Sequence, residues 1–176
     1  MERILVALDG SDHAGRALDL ACAIAERFEA EFLAVHVLSR KPLSEAERKM
    51  AAVEYHTEIT QGFDPSVLID ARSDSRLLGQ RLAEQAAETG RRFRRAMGER
   101  LLEDARSRAK ETRVARVRTF LEEGDPAELI LGLIEREGVD LVVMGRRGLG
   151  DLAGLLLGSV SHKVAHLADC ACLTVK

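Results

Sequence analysis

The chain has 176 residues, 46% hydrophobic and 31% charged, a formal net charge of −3, and 3% aromatics with no Trp. That length fits one domain, or one domain with an insertion, and can bury a self-sufficient core. The negative balance argues against non-specific nucleic-acid binding, and so few aromatics supply no base-stacking platform.

No window approaches the roughly 20 apolar residues that cross a bilayer, so no membrane association is expected. The opening MERILVALDG lacks the basic-then-apolar layout of an export signal. Cys22, Cys170 and Cys172 do not form a disulfide framework. The expected location is cytoplasmic, with reduced thiols.

In chain order, RILVALD (3–9) is a nearly continuous apolar run, as a strand covered on both faces should be. Ser11 or Asp12 can cap the helix that follows. Ala14, Ala17, Leu18, Ala21, Cys22, Ile24, Ala25 and Phe28 recur there at helical spacing. EFLAVHVL (31–38) is a second strand, completing a βαβ unit.

Residues 39–114 show no convincing strand. Two helical stretches flank a turn-rich piece at 57–74. Beyond it, Leu78, Leu82, Ala86, Phe93, Met97, Leu101 and Ala105 form an apolar seam. Gly90 and Gly98 interrupt this helix at about 1 kcal/mol each, so a break near Gly90 is expected. The segment is taken as a helical excursion within one crossover.

The second half repeats the alternation. ARVRTFLEE (115–123) is a strand; Asp125 caps a helix with Pro126 in its first turn and Glu128 three residues after the cap. Gly138 ends it. VDLVVMG and CACLTVK supply the last two strands. The result is an α/β fold with a mainly parallel sheet.

After Met144 the chain enters a glycine-rich loop that runs to Gly158-Ser159 and into a helix. No lysine occupies the P-loop slot, and the glycines follow a late strand, unlike a dinucleotide fingerprint. The position still favours an anion. Glycines let main-chain amides approach a ligand, and the free amides of a helix N-terminus favour phosphate. Ser159 and Ser161 add hydroxyls, while Arg146 and Arg147 add charge. The plainer alternative is a mobile loop with Ser159 as a simple helix cap.

Gly145-x2-Gly148-x9-Gly158-Ser159 matches the nucleotide signature G-x2-G-x9-G-[ST] without a gap. On that match the chain resembles the ATP-binding members of the universal stress protein family. ILVALDGS, VHVL, GDPAELIL and DLVVMGRRGLG also resemble that family, in family order. Residues 40–110 do not resemble its shorter crossover.

The resemblance implies an open five-stranded parallel sheet, order 3-2-1-4-5, with an enlarged helical crossover between strands 2 and 3. It also implies ATP, with Mg²⁺, at the carboxyl edge. Asp9, with Ala7 and Leu8 before it, would face the ribose side, and Val37 would offer main-chain groups to adenine. Met144 and Gly145 would line the ribose. Arg147, Gly148, Gly158, Ser159, Val160 and Ser161 would surround the phosphates. The last strand would pair antiparallel with its counterpart in a homodimer, itself addressed to a further protein partner.

There are departures from the family pattern. Asp151 puts a carboxylate in the phosphate loop, and Asp169 and Ala171 stand where prolines are usual. Asp9 has a plainer role available, organising the turn at Gly10.

Three other features carry less. His162 and His166 share a helical face but lack a third metal ligand. Cys170 and Cys172 are expected on opposite faces of the last strand. The basic cluster at 90–100 is expected to be a solvated helix with Phe93 inward. No catalytic arrangement is visible. The expected function is an ATP-binding, nucleotide-gated stress-response regulator; a slow ATPase or phosphotransferase and a nucleotide-free interaction module are the alternatives.

Overall fold

The computed structural model describes residues 1–38, 75–148 and 158–176, with the side chains of 75–80, 82, 83, 85 and 86 excepted. The elements are β1 (Arg3–Leu8), α1 (Asp12–Phe28), β2 (Glu31–Leu38), α2 (Ser75–Glu111), β3 (Val117–Glu123), α3 (Pro126–Glu137), β4 (Leu141–Gly145), α4 (Ser159–Leu167) and β5 (Ala171–Val175). The five strands form one sheet in the order β3-β2-β1-β4-β5. Every pairing is parallel. The expected fold class and strand order are both observed. By compactness the chain divides into two units, Met1–Lys41 with Gly98–Lys176 and Pro42–Met97. The first contains the whole sheet.

The continuous apolar character of β1 follows from its central place. Alternate side chains enter opposite cores: Ile4, Val6 and Leu8 join the one shared with α1, and Leu5 joins the one shared with α3. Ile4, Leu5 and Val6 are fully buried. Burial of such a side chain is worth about 1.5–3 kcal/mol, which fixes the strand's register.

The helix starts follow the cap residues. Ser11 accepts from Ala14 N at 3.2 Å and caps α1, so it, rather than Asp12, is the capping residue. Asp125 accepts from Glu128 N at 3.1 Å and caps α3. The Glu128 carboxylate reaches Lys163 at 3.4 Å. Gly138 ends α3 in the left-handed conformation, φ 61°. Helix α1 buries Ala14, Leu18, Ala21, Cys22 and Ala25, but Phe28 is 55% exposed, against expectation. It shares the face of Ala21 and Ala25 but is the last residue of the helix.

The expected break near Gly90 does not occur: α2 runs unbroken from Ser75 to Glu111. Gly98 has a packing reason. A Cβ there would stand 2.6 Å from His36 Cδ2 and 2.8 Å from Leu121 Cδ1. The bare backbone lets this part of α2 lie against β2 and β3. Tertiary packing outweighs a propensity cost of about 1 kcal/mol.

Cys170 and Cys172 also depart from expectation. Both pack toward the α3/α4 core, Cys172 from within β5 and Cys170 from the residue just before it. Cys22 is enclosed in the opposite core, and burial pushes its thiol up from 9.0 to about 11. The folded chain keeps that proton where the unfolded chain loses it. Stability should therefore fall as pH rises from about 9 to 11. Iodoacetamide at pH 8 should leave Cys22 unlabelled in the native protein and label it in urea, as read by peptide mass spectrometry.

Candidate functional site

The connections that leave β1 and β4 diverge. β1 leads into α1, which packs on one face of the sheet, and β4 leads toward α4, which packs on the other. The strands themselves are neighbours, with Ala7 opposite Met144. Such a switch point leaves a crevice at the carboxyl ends of the strands. Asp9 and Gly145 stand at its rim. β1–β2 pairing ends at Leu8 and His36, so Val37 has a strand partner only on its β3 side, opposite Glu122. Met144 is buried in the α3/α4 core, so only its main chain belongs to the rim.

The Asp9 carboxylate is oriented by its own turn. Oδ1 accepts from Ser11 N at 3.0 Å and from Ser11 Oγ at 2.7 Å. Gly10 between them has φ 83°, a conformation suited to glycine. Asp9 therefore organises the turn with one oxygen. The other, Oδ2, occupies the place where Gly148 would carry a Cβ. Ser11 Oγ is also 3.3 Å from the Arg147 carbonyl. The β1–α1 turn and the start of the loop after β4 are thus in direct contact.

Arg146 ties the other side together through its main chain. Its N–H donates to Val175 O at 2.7 Å, and its carbonyl accepts from Gly158 N at 2.8 Å. The buried Ser161 hydroxyl lies 3.1 Å from the same carbonyl and 3.1 Å from Gly158 O. The two described ends of the loop are therefore joined directly. Ser161→Ala should remove about 1 kcal/mol of stability, measurable as a lower urea midpoint at unchanged slope.

Above this clasp, charge and donors are left over. Arg146 Nε and Arg147 Nε are buried and have no hydrogen-bond partner among the described residues. Buried donors are nearly always satisfied, so these two mark a place for an acceptor. Helix α4 begins at Gly158, which offers no side-chain cap. α1 and α3 are capped by Ser11 and Asp125; among the described residues no side chain caps α4. Ser159 is exposed and Val160 half-buried at that start.

Gly145 has a further role. A Cβ on it would stand 2.9 Å from Ala14 N and 3.0 Å from His13 C, both main-chain atoms of α1. The first glycine of the signature therefore lets α1 lie against the end of β4. A separate cleft of about 470 Å³ lies between α1 and α2, lined by Leu8, Leu18 and Leu101 among others. Its Arg108 is already paired, with Asp19 at 2.8 Å and Asp104 at 3.1 Å. The buried nitrogens without a partner among the described residues belong instead to Arg146 and Arg147, which follow β4.

Three contributors escaped the sequence reading. Ser11 was read only as a cap, although its position two residues after Asp9 is the signal for an Asx-type turn. His36 is buried with Nδ1 2.8 Å from Leu8 O, a carbonyl that can only accept, so that nitrogen carries the proton. The main-chain role of Arg146 has no signal in its side chain. Asp151 and the rest of 149–157 lie outside the described residues, as do 39–74. His162 and His166 are exposed on α4 with rings 6.4 Å apart. Among the described residues no three metal-ligating side chains gather.

The universal stress protein family profile matches residues 1–176. This chain belongs to that family. A universal stress protein of Thermus aquaticus is 36% identical over 173 residues, covering 98% of this chain and 97% of the other. The universal stress protein UspA from Lactobacillus plantarum shares the fold at a TM-score of 0.66 and 20% identity, covering 99% of this chain and 97% of that one. A universal stress protein in complex with cAMP matches at a TM-score of 0.60 and 25% identity, with 99% and 97% covered. Among the described residues of this universal stress protein, no helix is long and apolar enough to cross a membrane.

Proposed function

We propose that this protein is an ATP-binding stress-response regulator of the cytoplasm, whose nucleotide lies across the carboxyl ends of β1 and β4. The observation that carries this reading is the pair of buried guanidinium nitrogens of Arg146 and Arg147, without a partner among the described residues, near the start of α4, which has no side-chain cap. A polyphosphate supplies acceptors for both, and the helix dipole favours its charge. The cAMP complex of a relative with the same fold supports an adenine nucleotide as the ligand.

On this reading Arg147, Gly148, Gly158, Ser159, Val160 and Ser161 surround the phosphates, Ser161 through its amide because its hydroxyl is engaged below. Asp9, with Ala7 and Leu8 beneath it and Met144 and Gly145 opposite, faces the ribose. Val37 offers its main chain to adenine. Mg²⁺ arrives with the triphosphate, held mainly by phosphate oxygens. Residues 1–176 act as one nucleotide-binding domain carrying an insertion at about 40–110.

The regulator is a homodimer that pairs through β5 and presents a nucleotide-dependent surface to a protein partner. Two features support the β5 face. β5 is an edge strand, which an unpaired partner strand can extend. The Arg146 N–H bond to Val175 O joins the phosphate loop to that edge, so a ligand that draws on Arg146 acts on the strand as well.

Isothermal titration with Mg-ATP, ADP and AMP tests the binding, and light scattering with and without ATP tests the gating. One-site binding that tightens with phosphate number is expected. No heat with any adenine nucleotide would remove the reading.

A further inference from the structure

We propose that Ser11 is a positioning residue for the ligand: its hydroxyl aims the free oxygen of Asp9 at a sugar hydroxyl, so that the site selects ribose over deoxyribose. This rests on the nucleotide reading above and names what that site discriminates.

A carboxylate only accepts, with about four lone-pair sites. Asp9 Oδ1 is occupied by the Ser11 amide at 3.0 Å and the Ser11 hydroxyl at 2.7 Å. Oδ2 accepts nothing among the described residues and stands where a side chain of residue 148 would be. Glycine at 148 keeps that oxygen clear. A hydroxyl has one proton to give. The 2.7 Å contact to Oδ1 takes it in preference to the Arg147 carbonyl at 3.3 Å, and the hydroxyl oxygen accepts from Ala14 N at 3.2 Å. Ser11 therefore joins the start of α1 to the carboxylate, and a rigid helix holds the orientation of Oδ2.

Charge decides what Oδ2 receives. A phosphate against an anionic oxygen is repelled, and the buried Arg146 and Arg147 nitrogens mark the phosphate side of the crevice. Oδ2 therefore suits an uncharged donor. Between the base and the phosphates of a nucleotide, the sugar hydroxyls are those donors. Sites built to hydrogen-bond a hydroxyl reject analogues that lack it.

The test is titration of wild type, Ser11→Gly and Ser11→Thr with ATP, 2′-deoxy-ATP and 3′-deoxy-ATP. Glycine is a tolerated cap, so Ser11→Gly keeps α1 while deleting the hydroxyl; circular dichroism confirms folding. Wild type should bind ATP about tenfold or more tighter than at least one deoxy analogue, the scale of a hydrogen bond to a charged acceptor. Ser11→Gly should lower ATP affinity to near that of the analogue while leaving the analogue itself unchanged, and Ser11→Thr should restore the difference. Equal weakening of all three ligands would reduce Ser11 to a helix cap and overturn the inference. Discrimination that survives in Ser11→Gly, or is absent in a wild type that binds ATP, would overturn it too while leaving ATP binding intact. A wild type that binds no nucleotide overturns both readings.

Discussion

Gly158→Val should weaken ATP binding by more than tenfold, at least ~1.4 kcal/mol, while the protein stays folded. Gly158 is buried and caps α4 with φ −69° and ψ 155°, an extended conformation open to any residue. No turn geometry demands glycine there. Its amide already serves the Arg146 carbonyl at 2.8 Å, and a valine keeps that amide. What valine adds is bulk at the start of α4, where the proposed function puts the phosphates. Titration calorimetry beside a thermal melt separates the effects. An unchanged affinity in a folded variant would mean the phosphates lie elsewhere.

Gly145→Ala should destabilise the protein by about 1–3 kcal/mol, the range for overpacking a close contact. The added Cβ meets Ala14 N at 2.9 Å and His13 C at 3.0 Å. Those are main-chain atoms of a capped helix and cannot swing aside. The same substitution at Gly15 or Gly132 should do the opposite. Each lies inside a helix, with nothing within 4 Å of a new Cβ. Alanine there should stabilise by roughly 0.5–1 kcal/mol through lost chain freedom in the unfolded state and better helix propensity. Urea denaturation of the three variants gives the signs directly. A Gly145→Ala protein as stable as Gly15→Ala would show that α1 does not bear on the end of β4.

The contrast among these glycines explains what the sequence could and could not tell. Periodicity made the sheet and most helices readable, because burial on one or two faces writes itself into every second or every third and fourth residue. The ends of α3 were readable for a local reason: Asp125 and Gly138 bond within their own turns. Gly98 and Gly145 were not readable in the same way. Their partners, His36 and Leu121 in one case and His13 and Ala14 in the other, are distant along the chain. A glycine that breaks a helix and a glycine that lets a strand approach one look alike in sequence.

The candidate site was legible as a set of residues and less so as a division of labour. The spacing of Gly145, Gly148 and Gly158 marked the loop, yet the three do different things. One admits α1, one clears Asp9 Oδ2, and one clasps Arg146. Asp9 divides its oxygens between the turn and the crevice, which no spacing rule encodes. Ser161 spends its hydroxyl on the Arg146 and Gly158 carbonyls, a use that its place in the sequence does not reveal.

The most direct test of the central claim is a crystal structure grown with saturating Mg-ATP. The account predicts a triphosphate within hydrogen-bond distance of the Ser159 and Val160 amides and of the Arg146 and Arg147 guanidinium groups, with adenine toward Val37. ATP bound anywhere else, or a β1/β4 crevice left empty at saturation, would contradict it.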